Sequence, residues 1–94
     1  MAFLIGFLQS FLGKFPSMGW AQFYLDIPEG TDADSILKPL RFLPIDGTGI
    51  RRYRTDDVLA IDHGRRIEFL SNYKCEIEKI REKLPGASPA VFMQ

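Results

Sequence analysis

Cysteine occurs once, at Cys75, so no disulfide can form within the chain. That fits a reducing, cytoplasmic setting. Histidine and tryptophan also occur once each, as His63 and Trp20. Net charge is lacking: twelve Lys and Arg balance twelve Asp and Glu. A neutral chain has no overall field to draw it onto nucleic acid or an anionic membrane, so any such contact has to come from a local patch. Long apolar runs are lacking too. The longest, Ala2–Leu8, already contains Gly6 and falls far short of the roughly 20 residues that a membrane span needs. A secretory leader is not expected, because the first basic residue, Lys14, follows the apolar stretch instead of preceding it. There are no repeats and no low-complexity tracts. Asp46-Gly47-Thr48-Gly49 has two glycines, but neither Gly-x-x-x-x-Gly-Lys nor Gly-x-Gly-x-x-Gly is present, so it reads as a loop and not as a phosphate cradle.

What is present is the balance of a soluble globular chain, 46% apolar and 26% charged. Its 94 residues can build one core and not two, so 1–94 reads as a single domain. It divides into an N-terminal apolar helix over 1–16 and an α+β core over 19–94. In the first segment Phe3, Leu4, Phe7, Leu8, Phe11, Leu12 and Phe15 recur at helical spacing and form a broad apolar arc. Gly6 and Gly13 weaken that helix by about 1 kcal/mol each relative to alanine, so it needs a surface to lean on. Pro16 ends it.

From Gly19 to Ile27 the chain alternates. Trp20, Gln22, Tyr24 and Asp26 point one way and Ala21, Phe23, Leu25 and Ile27 the other, the pattern of a strand. Thr31 can cap a helix that buries Ile36, Leu37 and Leu40, and Pro39 inside it predicts a short or bent element. Ile50–Asp62 is extended, with an interruption near Thr55-Asp56-Asp57. The runs Val58–Asp62 and Arg65–Leu70 flank His63-Gly64, which signals a hairpin. A short helix from Asp56, closed by Gly64, is the competing reading. Ser71–Leu84 reads as a helix whose stripe is Leu70, Tyr73, Ile77, Ile80 and Leu84, capped by Ser71 or Asn72 and stopped by Pro85-Gly86. Ala90–Met93 adds a last short strand. The expected fold is therefore α+β: a two-layer βαββαβ, the ferredoxin-like split βαβ arrangement, with an additional N-terminal amphipathic helix.

Three groups of residues bear on function. Arg51, Arg52, Tyr53 and Arg54, with Arg65 and Arg66 across the hairpin, are the local basic cluster. Arginines could hold phosphates and Tyr53 could stack on a base, while the interleaved Asp56, Asp57, Asp62 and Glu68 favour a solvated, ion-paired strand face. His63 and Cys75 could serve a small enzyme: Asp56, Asp57, Asp62 and His63 could supply metal ligands or an acid–base pair, but turn chemistry accounts better for His63, and one histidine elsewhere is thin support for a catalytic Cys75. Phe3, Phe7, Phe11 and Phe15 are the candidate partner-binding residues; a lone Lys14 on the polar face disfavours a membrane surface for them. No cofactor and no metal are expected. The expectation is a non-catalytic protein-binding module, an adaptor, regulator or inhibitor. It would act through the apolar helix, a sheet edge, or both, on another protein or on a second copy as a homodimer. A nucleic-acid-binding domain is the second reading, and a small enzyme the third.

Overall fold

The computed structural model describes residues 19–93. The helix expected over 1–16 lies outside them. Trp20–Asp26 form strand β1, and its alternation comes out as the sequence has it: Ala21, Phe23 and Leu25 are buried while Trp20 and Asp26 are exposed. The α+β assignment holds: six antiparallel strands form one sheet and two short helices pack on it. The sequence reading had four strands.

After β1 comes helix α1, Ala33–Leu37, which runs into a 3₁₀ turn at Lys38–Leu40. Pro39 sits in that turn, as its missing N–H and fixed φ require. The cap is Asp32 and not Thr31: its carboxylate accepts from the Ser35 N–H at 2.9 Å. The hydroxyl and backbone N–H of Ser35, aided more weakly by Arg51, hold the Asp32 carboxyl below the ordinary aspartate range. A depressed folded pKa stabilises above the unfolded value, and that contribution disappears as pH falls through the folded one. Asp32→Ala should therefore lower the urea midpoint at neutral pH. The difference from the parent should shrink as pH falls below the ordinary aspartate value.

One strand lies where the sequence reading had none, and the extended run Ile50–Asp62 divides into two. Strand β2 is Leu43–Ile45 and β3 is Arg51–Arg54. Strand β4, Leu59–Asp62, follows a tight turn in which Thr55 Oγ1 accepts from the Asp57 and Val58 N–H groups, at 3.3 and 3.1 Å. Thr55 thus caps a hairpin, not the alternative helix from Asp56. Strand β5 is Arg66–Ser71. The β4–β5 turn closes on a 2.9 Å bond from His63 N–H to the Arg66 carbonyl. Its central residues are Gly64 and Arg65, one position later than expected, and Gly64 takes φ +94°. A positive φ at the first central position suits glycine.

Helix α2 is Lys74–Glu82, shorter at its start than the sequence stripe implied. Leu70 belongs to β5 and lies on the sheet face away from the helices, so the helical stripe is Ile77, Ile80 and Leu84. Ser71 and Asn72 are not helix caps. The Ser71 hydroxyl donates to the Asp57 carbonyl at 2.6 Å, and Asn72 Nδ2 donates to the Gly19 carbonyl at 2.9 Å. Both fasten distant chain together. Strand β6, Val91–Met93, completes the sheet in the order β2-β3-β4-β5-β1-β6.

The register places Ala21, Phe23 and Leu25 of β1 beside Ser71, Phe69 and Ile67 of β5, with Ala60 and Tyr53 next in line on β4 and β3. Ala33 and Leu37 of α1 and Ile77 and Ile80 of α2 close over this face to form one buried cluster. Phe69 is its centre. Its ring stacks on Phe23 at 4.5 Å and meets Phe42 edge-on at 5.8 Å. Both helices therefore cover one face of the sheet, and the opposite face carries Trp20, Gln22, Leu70, Leu59, Arg54 and Leu43.

Candidate functional site

An open sheet has two edges, and this one finishes them differently. Arg54 and Arg52 of β3 pair with Leu43 and Ile45 of β2, with Pro44 opposite Tyr53. Thr55 N–H bonds to Val58 across the β3–β4 turn. Hydrogen-bonding direction alternates along an antiparallel strand. Tyr53 therefore bonds toward β4, and Pro44, its neighbour in register, occupies the outward position of β2. A proline there offers no N–H, which blunts that edge.

Among the described residues the β6 edge has no such guard. Ser88 N–H donates to the Tyr24 carbonyl at 2.8 Å, and Tyr24 N–H donates to the Ser88 hydroxyl at 2.9 Å. Tyr24 thus bonds toward β6, and by alternation so do Gln22 and Trp20, whose register partners are Val91 and Met93. Phe92, opposite Ala21, then turns its own N–H and carbonyl outward. Pro89 cannot donate, and Ser88 supplies both the donor and the acceptor in its stead. Arg81 Nε bonds the Ser88 carbonyl at 2.8 Å, which fixes this junction to α2.

The side chains beside that edge are apolar and exposed. Trp20 is 52% exposed, Val91 50% and Met93 43%. All three share the face away from the helices. Phe92 is on the other face, its ring 5.0 Å from the Lys74 ammonium. Val91–Met93 contains neither a charge nor a proline, the usual devices that keep an edge from pairing.

The basic cluster is split by the sheet. Arg52 and Arg54 are on the face away from the helices, while Arg51 is on the other, in register with Asp62. Tyr53 is buried in the core, so its ring is not a stacking platform for a base. Arg66 is engaged: its guanidinium lies 5.0 Å over the Tyr24 ring and 3.7 Å from the Asp26 carboxylate. An open depression of about 720 Å³ between the β4–β5 turn and the chain after β1 is lined by Arg65 and Arg66 but also by Asp26 and Glu29, which leaves it without one sign of charge.

His63 and Cys75 are not brought together. They flank opposite ends of β5, a six-residue strand about 20 Å long. His63 Nε2 donates to the Glu68 carboxylate at 2.9 Å, and Cys75 Sγ lies 3.9 Å from Glu76 Oε2. Among the described residues no three His, Cys, Asp or Glu side chains gather as metal ligands, and no helix is long and apolar enough to cross a membrane. Phe3, Phe7, Phe11 and Phe15 lie outside the described residues.

The residues that the sequence reading missed are Trp20 and Phe92. Both lie in segments it read as strands. The signal for β6 was a short apolar run without charge after Pro89, but nothing in a sequence says which strand ends a sheet. Comparison with protein-family models, with curated proteins and with solved structures finds no match.

Proposed function

We propose that the chain is a protein-binding module that receives an extended segment of a partner alongside β6. The outward N–H and carbonyl of Phe92, on an edge flanked by exposed Trp20, Val91 and Met93, are the observation that carries this reading. Strand addition draws affinity from main-chain bonds and selectivity from alternate side chains. With β6 only three residues long, main-chain bonds are few, and the apolar side chains supply the remaining contact. The partner segment is accordingly extended and apolar on the side facing Trp20 and Met93. The frame behind the edge, β4-β5-β1-β6 with α1 and α2, reads as the split βαβ arrangement, with β2 and β3 as a hairpin added at its far side.

Selection of displayed extended peptides on the purified chain tests this. Phe92→Pro removes an outward N–H and puts a ring in the partner's path, whereas Phe92→Val loses the same phenyl ring near Lys74 but keeps the N–H. Selected peptides should bind Phe92→Pro about tenfold or more weakly and Phe92→Val nearly normally. Equal binding to both variants, with far-UV circular dichroism unchanged, would refute the edge as the site. A second copy pairing β6 against β6 would appear instead as self-association in sedimentation that the peptides compete away.

A further inference from the structure

A strand added beside β6 has two faces, and this chain meets them with different chemistry. On the face away from the helices stand Trp20, Val91 and Met93, apolar and exposed. On the helix face β6 presents Phe92, and over its ring lies the Lys74 ammonium, 5.0 Å from the ring centre. Lys74 is exposed and is the first residue of α2. Among the described residues no carboxylate pairs with it. The nearer acids of its own helix are engaged with other bases: Glu76 lies 3.3 Å from Lys79, and Glu78 lies 3.9 Å from Arg81. The N-terminal end of α2 adds a partial positive charge at the same place.

We infer that the partner segment carries an acidic side chain opposite Phe92, between two apolar residues, and that Lys74 is the residue that selects it. This rests on the edge reading above and adds the chemistry of the partner. Phe92 turns its main-chain groups outward, so the partner residue in register with it sits one strand spacing, about 4.8 Å, farther out. That residue's side chain shares the face of Phe92, whether the pairing is parallel or antiparallel. Its two neighbours in sequence point to the opposite face, beside Val91 and Met93. A carboxylate at the central position is then within reach of a lysine stem already laid over the Phe92 ring. Main-chain pairing holds it there, which lowers the ordering cost that exposed ion pairs carry. A second copy does not supply this residue. Its β6 is Val-Phe-Met, so pairing edge to edge about Phe92 sets a second phenyl ring at the central position. A second Lys74 then stands on the same face, with no acid between the two. The charge therefore favours a different protein as the partner.

Peptide display run in parallel on the parent chain and on Lys74→Glu tests this. Lys74→Glu keeps the fold, because an acidic residue suits the first turn of a helix. The parent should enrich Asp or Glu at one position flanked by apolar residues, and Lys74→Glu should enrich Lys or Arg at that same position. In a peptide selected on the parent, replacing the acid by Gln should weaken binding to the parent about three- to fivefold in low salt. The same replacement should change nothing on Lys74→Gln, and the difference on the parent should vanish near about 1 M salt. An acidic preference that persists on Lys74→Glu would overturn the role of Lys74 and leave the edge standing. So would the lack of any acidic position in peptides that Phe92→Pro rejects. Enrichment of no peptide, or only of peptides indifferent to Phe92→Pro, would overturn the edge reading and this inference with it.

Discussion

Phe69→Ala should cost about 3–5 kcal/mol, the range for removing a large aromatic from a packed core. Its ring is fully buried on β5, stacked 4.5 Å from Phe23 and edge-on to Phe42 at 5.8 Å. Aromatic pairs of these geometries add about 0.5–1.5 kcal/mol beyond the area they bury, so losing two at once places the loss toward the top of the range. β5 lies between β4 and β1, and the cavity would open at the middle of the sheet, between it and the helices. Domains hold only about 5–15 kcal/mol in total. The urea midpoint should therefore fall by a large fraction, and at the lower end of that range the variant should be unfolded without denaturant. A midpoint within experimental error of the parent would show that the sheet does not pack around Phe69.

Ile77→Ala should cost about 2–5 kcal/mol. Ile77 is fully buried in the middle of α2, where the helix meets β1 and β5. It belongs to the same buried cluster as Phe23, Phe69 and Ile80, which are held in strands or in the helix itself. Cys75→Ser, two residues earlier and only half-buried, should be nearly silent by the same denaturation measurement. If Cys75→Ser unfolds the protein and Ile77→Ala does not, α2 presents its other face to the sheet.

These two residues also mark what a sequence can disclose. Ile77 was legible because a helix stripe repeats every three or four residues and Ile77, Ile80 and Leu84 keep that spacing. Leu70 kept the same spacing and yet belongs to β5. A strand feeding directly into a helix leaves no periodic break, and only pairing with Gln22 and Leu59 decides the matter. Strand β1 was legible in full because four apolar residues alternate with polar or amphipathic ones. Strand β2 was not. Three residues centred on a proline carry no strand signal, and Pro44 is accommodated only because its missing N–H falls on the solvent side.

The arginine cluster shows the limit from another side. Arg51, Arg52, Tyr53 and Arg54 are contiguous in sequence, but a strand sends successive side chains to opposite faces. Tyr53 goes to the core and the arginines divide between two surfaces. Capping residues shifted for a simpler reason: Thr31 and Asp32 are both competent and the local bond from Ser35 falls to Asp32, while Ser71 and Asn72 are drawn to distant partners, Asp57 and Gly19. The candidate site was legible only as a short apolar strand after Pro89. That this strand ends the sheet depends on strand order, a property of contacts between distant segments.

Residue-resolved amide hydrogen exchange at β6 addresses the binding reading most directly. In the free chain the N–H groups of Val91 and Met93, bonded to β1, should exchange slowly and that of Phe92 quickly. Saturation with a selected extended peptide should slow Phe92 to the rate of its neighbours and leave Val91 and Met93 as they were. A Phe92 amide that exchanges equally fast in the free and the peptide-bound chain would contradict strand addition at this edge.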